Sequence, residues 1–137
     1  IIKVPGPADA APRRLRVWLV EEAKRDLDKR VAFHAKRLGV VPKRIAVRDQ
    51  TSRWGSCSAS GDLSYSWRLI VTPPYVLDYV AAHEVAHLKH LDHSPRFWHL
   101  VLTHLWPTID PVASVEEGSE AFGHAVVLAA PHLVTRI

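Results

Sequence analysis

The chain divides into blocks of differing hydrophobic period. From Arg13 to Leu38 apolar residues return at helical spacing, with Val20, Ala23, Leu27, Val31 and Leu38 close to one stripe. That spacing predicts an amphipathic helix with the stripe turned inward. Glu21 to Arg25 and Asp26 to Arg30 stand four apart with the acid first, the favourable order for ion pairs along a helix. Gly39 follows as a C′ residue. The period then drops to two. KRIAVRDQ, 43 to 50, puts Ile45 and Val47 on one side, and DLSYSWRLI, 62 to 70, sets Leu63, Tyr65, Trp67 and Leu69 against Ser64, Ser66 and Arg68. Both read as strands. With SRWGSCSASG running between them to a turn near Ser60-Gly61, they predict a small, mostly antiparallel sheet of about three strands.

A second helical block starts at Thr72, placed to cap it, with Pro73 and Pro74 at first positions where a missing N–H is no loss. It is expected to run to Leu91, and Asp92 to turn the chain in a left-handed conformation. Ser94 and Pro95 then read as N-cap and N1 of a following helix that reaches about Leu105 before Pro107, with Phe97, Leu100, Val101 and Leu105 at core spacing. Residues 1 to 12 form a Pro- and Ala-rich extended lead-in, and 107 to 137 carry no strong pattern beyond a helix around 119 to 129. The predicted fold class is α+β in a single domain over 1–137: an N-terminal helix, a small sheet and two successive helices.

Composition narrows this picture only in places. A chain of 137 residues with 47% hydrophobic content suits one domain with a real core. The single cysteine, Cys57, excludes an intramolecular disulfide framework and a Cys-rich zinc knuckle. It suits a reducing compartment, so a cytoplasmic location is the expectation. The longest apolar run, AVVLAA at 125 to 130, falls short of the roughly 18 residues of a membrane span, and no membrane partner is expected. No signal-peptide pattern opens the given sequence, whose first residue is Ile rather than Met. Charge is uneven: residues 1 to 50 hold 13 Lys/Arg and 6 Asp/Glu, a balance of +7, whereas 51 to 137 hold 5 and 8, a balance of −3. A basic front half can meet nucleic acid or another polyanion, although acids interleaved among the bases also suit a solvated helix face.

The candidate chemistry lies in AAHEVAHLKHLDHSPRFW, 81 to 98, which holds four of the nine histidines. His83, Glu84 and His87 spell H-E-x-x-H. On a helix, positions four apart share a face, so both imidazoles can meet one Zn²⁺ at about 2.0–2.1 Å. Glu84 is offset by about 100° and can reach a water on the metal as general base. A catalytic zinc usually takes a third protein ligand. His90 lies about 10 Å along a straight helix from His83, which strains a shared site. His93 comes after the turn expected at Asp92 and can fold back. A distal acid, Glu116, Glu117 or Glu120, is the remaining choice. The His87-to-His93 spacing equals that of metzincins, but His90 stands in place of their glycine and the chain has no Met for a Met-turn. A buried His/Glu network without metal is the bland alternative. The same Zn²⁺ could serve peptide hydrolysis or, with the basic helix attracting nucleotides, phosphoanhydride hydrolysis. A non-enzymatic nucleic-acid-binding module is a third reading.

Residues 52 to 98, about a third of the chain, resemble the YgjP-like zinc metallopeptidases, related to the SprT and WLM groups. The resemblance rests on R-W-G-S-C-S, W-R-L, P-P-Y-V-L-D-Y-V, H-E-V-A-H and H-S-P-R-F-W occurring in that order. Asp92 departs from the Asn common at its place. The resemblance implies a zincin-like minimal metallopeptidase, one Zn²⁺ per chain held by His83, His87 and His93, Glu84 as base for a metal-bound water, and a peptide or protein substrate. It also suggests that Arg53, Trp54 and Ser56 line the cleft beside an edge strand that takes extended peptide. Arg53, Tyr65 and Tyr79 are candidates for a second oxyanion donor. Core packing is the plainer role for Trp54 and Trp67, and a small packed residue the plainer role for Cys57. His34, His99, His104, His124 and His132 take no role.

Overall fold

The computed structural model describes Gly6 and residues 10–105. The helix expected around 119 to 129, the distal acids Glu116, Glu117 and Glu120, and His124 and His132 therefore lie outside the described residues, as do the side chains of His104 and Leu105. Three helices pack with one three-stranded sheet: α1 (Ala11–Leu38), β1 (Arg44–Arg48), β2 (Gly55–Cys57), β3 (Asp62–Ser66), α2 (Pro74–His87) and α3 (Pro95–Leu100). A 3₁₀ turn (Trp67–Val71) joins β3 to α2, and a π-helical turn (Val101–Leu105) continues α3.

Helix α1 forms as its periodicity predicts. Ala23, Leu27, Val31 and Leu38 are buried, joined by His34 and Ala35. Removing side chains such as Leu27 and Val31 from water is worth about 1.5–3 kcal/mol each. Gly39 ends the helix at φ 68, and its N–H bonds back to the carbonyls of Ala35 and Lys36. The expected pairs along α1 are replaced. Arg25 meets Glu22 rather than Glu21, at 2.7 Å. Arg30 leaves its own helix and reaches Asp78 on α2 with two bonds, Nε to Oδ1 at 2.7 Å and Nη2 to Oδ2 at 3.0 Å. A buried carboxylate draws the guanidinium more strongly than a solvated Asp26 one turn away.

The sheet has three strands, as expected, but it is mixed. Its order is β1-β3-β2, and β2 pairs antiparallel with β3 while β1 pairs parallel to it. Ile45 and Val47 stand opposite Leu63 and Tyr65, and Cys57 and Gly55 complete the same two rows. All six therefore lie on one face, where Leu63 and Tyr65 are buried among the helices. Alternation dictates which residues share that face; it is silent on strand direction. Strand β3 also stops at Ser66, short of the Leu69 that alternation suggests. The Ser66 hydroxyl accepts from the Arg68 N–H and donates to the Gln50 carbonyl, so the next residues wind into the 3₁₀ turn.

Helix α2 begins one residue later than expected, with Pro73 at its cap. The Thr72 hydroxyl instead donates to the Leu69 carbonyl at 2.6 Å, closing the preceding turn. The helix ends at His87, a turn earlier than Leu91. No non-glycine among the described residues has positive φ, so Asp92 does not turn the chain in a left-handed conformation. Its carboxylate accepts from the Ser94 N–H at 3.4 Å instead. Ser94 caps α3 as expected, accepting from the Phe97 N–H. From Val76 to His87 every residue of α2 is buried, so the helix is wrapped on all sides by α1, the sheet and α3.

Candidate metal centre

A helix buried on all sides is a costly place for polar side chains, and α2 carries four: Asp78, His83, Glu84 and His87. Asp78 is compensated. Besides Arg30, it accepts from Nε2 of the fully buried His34 at 2.7 Å, and this trio ties α1 to α2. The other three polar side chains face a different group of residues. His83 and His87 lie one turn apart and meet edge-on, with ring centroids 4.9 Å apart. Past the end of α2 the chain folds back and brings His93 to them. Nε2 of His83 and Nε2 of His93 stand 3.0 Å apart, and one nitrogen from each of His83, His87 and His93 lies within 4.8 Å of the others.

The three rings are held from behind. Phe97, fully buried on the first turn of α3, stacks on His87 at 4.4 Å and meets His83 and His93 edge-on at 4.9 and 5.1 Å. Trp98 stacks on His93 at 5.8 Å. Nδ1 of His87 donates to the His90 carbonyl at 2.9 Å, which fixes the tautomer and leaves Nε2 with its lone pair free. His90 thus serves the centre through its backbone. Its ring lies in an outer cleft with His99, away from the three-nitrogen group.

The donor set suits a divalent cation. Two nitrogens on one tetrahedral ion, each at about 2.0–2.1 Å, stand about 3.3 Å apart, close to the His83–His93 spacing. Burial, with His87 and His93 nearby, pushes His83 down to about 2, so its imidazole stays neutral as a ligand must. Burial pushes the Glu84 carboxyl up to about 8, with Arg53 pulling the other way. Nδ1 of His83 and Oε1 of Glu84 are buried with no hydrogen-bond partner among the described residues, so neither atom is committed to another side chain.

Glycine at position 55 makes the carboxylate's place. It stands in the same row as Tyr65 and Val47 on the inner face of the sheet. A Cβ there would meet Cγ of Glu84 at 2.9 Å and Oε1 at 3.0 Å. Neither Gly55 nor Phe97 announced a site role in the sequence, because each acts only through residues brought in by the fold. Of the oxyanion candidates, Tyr65 is excluded: its hydroxyl donates to the Ala81 carbonyl at 3.2 Å inside the core. Tyr79 is buried against His83, with ring centroids 5.8 Å apart, and Arg53 is exposed ahead of β2. Trp54 and Trp67 both pack on the core as expected. Trp67 adds a bond from Nε1 to Asp49 at 3.1 Å. Burial and the nearby Glu84 and Asp62 push the Cys57 thiol up to about 11, which keeps it protonated and unsuited to attack.

The imidazoles of His83 and His87 and the buried Glu84 on α2, joined by His93 from the segment that folds back, form a group that could hold a metal ion behind a small sheet. Residues 1–110 match the sequence model described as "YgjP-like, metallopeptidase domain". The chain belongs to the YgjP-like metallopeptidase family, and this gives peptide hydrolysis precedence over the phosphoanhydride and nucleic-acid readings. Among solved structures, the crystal structure of the metallopeptidase zymogen of Pyrococcus abyssi abylysin is similar at TM-score 0.56 and 17% identity, over 75% of this chain and 93% of that one. At that identity the likeness speaks for the fold. No curated protein matches the sequence. Among the described residues no helix is long and apolar enough to cross a membrane.

Proposed function

We propose that this chain hydrolyses peptide bonds with one Zn²⁺ held by His83, His87 and His93 and with Glu84 as general base. The observation that carries the reading is the convergence of those three imidazoles within 4.8 Å, next to a buried carboxylate. When bound, zinc supplies a Lewis acid that acidifies a water toward neutrality and polarises the scissile carbonyl. The chain's own residues do the rest. His87 is held in its ligating tautomer by the His90 carbonyl, and Phe97 fixes the ring planes. Glu84, seated against Gly55, takes the proton of the attacking water and returns it to the leaving amine. Strand β2 is an edge of the sheet and lies beside α2, so it can align an extended substrate by strand addition.

The test is elemental analysis paired with a peptide-cleavage assay. Wild type should carry one zinc per chain. His93→Ala should lose most of it, and Glu84→Gln should keep it while turnover falls by at least about a hundredfold, the lower range for a general base. Full zinc in His93→Ala would remove that residue from the ligand set. Undiminished turnover in Glu84→Gln would remove the base.

A further inference from the structure

On the sheet side of the molecule lies a cleft that the proposed hydrolysis itself does not use. It is about 170 Å³, opens between the end of β1 and the segment leading into β2, and is lined by Gln50, Thr51, Arg53, Trp54, Ser66 and Arg68. It contains no acidic residue, and its two cations differ in state. Arg68 is engaged: Nη1 donates to Asp49 and to the Gln50 carbonyl, and the guanidinium lies 4.9 Å over the Trp67 ring. Arg53 is exposed, and among the described residues its guanidinium forms no ion pair. Arg53 stands two positions before Gly55, the residue pressed against Glu84, and its charge reaches that carboxylate. The cleft therefore presents one cation without an ion-pair partner among the described residues, two positions from the glycine that abuts Glu84, with the half-buried Trp54 as an apolar wall.

We propose that this cleft is a substrate subsite for a carboxylate, with Arg53 as the specificity-determining contact and Trp54 covering the aliphatic stem. The inference rests on the peptidase reading of the metal centre. A guanidinium takes a carboxylate in a planar, two-bonded fork that neither an amide nor an ammonium can match. The carboxylate can come from an Asp or Glu side chain near the scissile bond or from the peptide's own C-terminus.

Matched peptides test this on the zinc-loaded protein, with Glu, Gln or Lys walked across the positions flanking the cleaved bond and the C-terminus either free or amidated. The expected result is a single position at which Glu is cut about tenfold faster than Gln, equivalent to about 1.4 kcal/mol. Arg53→Gln should bring that ratio close to one with zinc content unchanged, and Arg53→Glu should turn the preference toward Lys. An Arg53-dependent gain from the free C-terminus instead would identify the terminal carboxylate as the occupant. A ratio near one throughout in wild type, or a preference that survives Arg53→Gln, would overturn the subsite. If no peptide is cut, the peptidase reading has failed, and the subsite is decided by calorimetry on zinc-loaded Glu84→Gln protein. Tighter binding of Glu than Gln peptides, lost on adding Arg53→Gln, upholds the subsite; equal binding overturns it.

Discussion

Gly55 and Glu84 meet where the inner face of the sheet touches α2, and the contact leaves no room for a methyl group. Gly55→Ala places a carbon at 2.9 Å from Cγ of Glu84 and 3.2 Å from Cγ1 of Val80, so the carboxylate must shift. Overpacking of this kind costs about 1–3 kcal/mol. The expected outcome is a modest drop in stability, unchanged zinc content and at least a tenfold loss in kcat/KM, since a displaced base forfeits its geometry. Peptide kinetics beside a zinc assay would check it, and unchanged kinetics would show that the seat of Glu84 does not govern turnover. The H-E-x-x-H pair was legible in the sequence because a helix puts residues four apart on one face without help from the rest of the fold. Gly55 was not legible, because nothing in its neighbourhood says that a glutamate far along the chain will press on it. His34 was hidden for the same reason: its partner Asp78 lies 44 positions away.

Between elements, the decisive contact is the carboxylate of Asp78, which holds α1 to α2 through Arg30 and His34. Asp78→Ala leaves His34 buried without that acceptor, whereas Arg30, 30% exposed, can turn toward water. Removing one member of a buried charged network costs about 3–5 kcal/mol, and the escape of Arg30 argues for the lower end. Arg25→Ala, which removes a surface pair with Glu22, should change stability by less than about 0.5 kcal/mol. Urea unfolding of both variants reads the contrast, and equal small effects would show that the helix pair is held by apolar packing alone. Element identities were largely readable, because α1 has its stripe and its Gly39 stop, and α3 has its Ser94-Pro95 start. Ends and directions were less so. The alternation through Trp67 and Leu69 continues past the point where the Ser66 hydroxyl bends the chain. The parallel pairing of β1 with β3 is a relation between two strands, which neither encodes alone.

For the whole molecule, a metal held at the proposed site would be linked to the fold, because His83 and His87 are buried and the exposed His93 meets them through the core residue Phe97. An ion bound only by the native state at a hundred times its Kd adds about 2.7 kcal/mol. In a chain of this size that corresponds to a melting temperature higher by on the order of 10 °C. Chelation should therefore lower Tm, and added zinc should restore it in a concentration-dependent way. An identical Tm with and without chelator would separate the imidazole cluster from metal altogether. The three imidazoles come from one short stretch, residues 83 to 93, rather than from distant parts of the chain. Bringing them together in an unfolded polypeptide means closing only a small loop, which is entropically cheap. The denatured ensemble can therefore compete for the same ion, so the thermal gain should plateau below the native-only value as zinc rises. A nascent chain could also capture its metal as soon as this stretch leaves the ribosome, before α3 has emerged to pack Phe97 behind the rings.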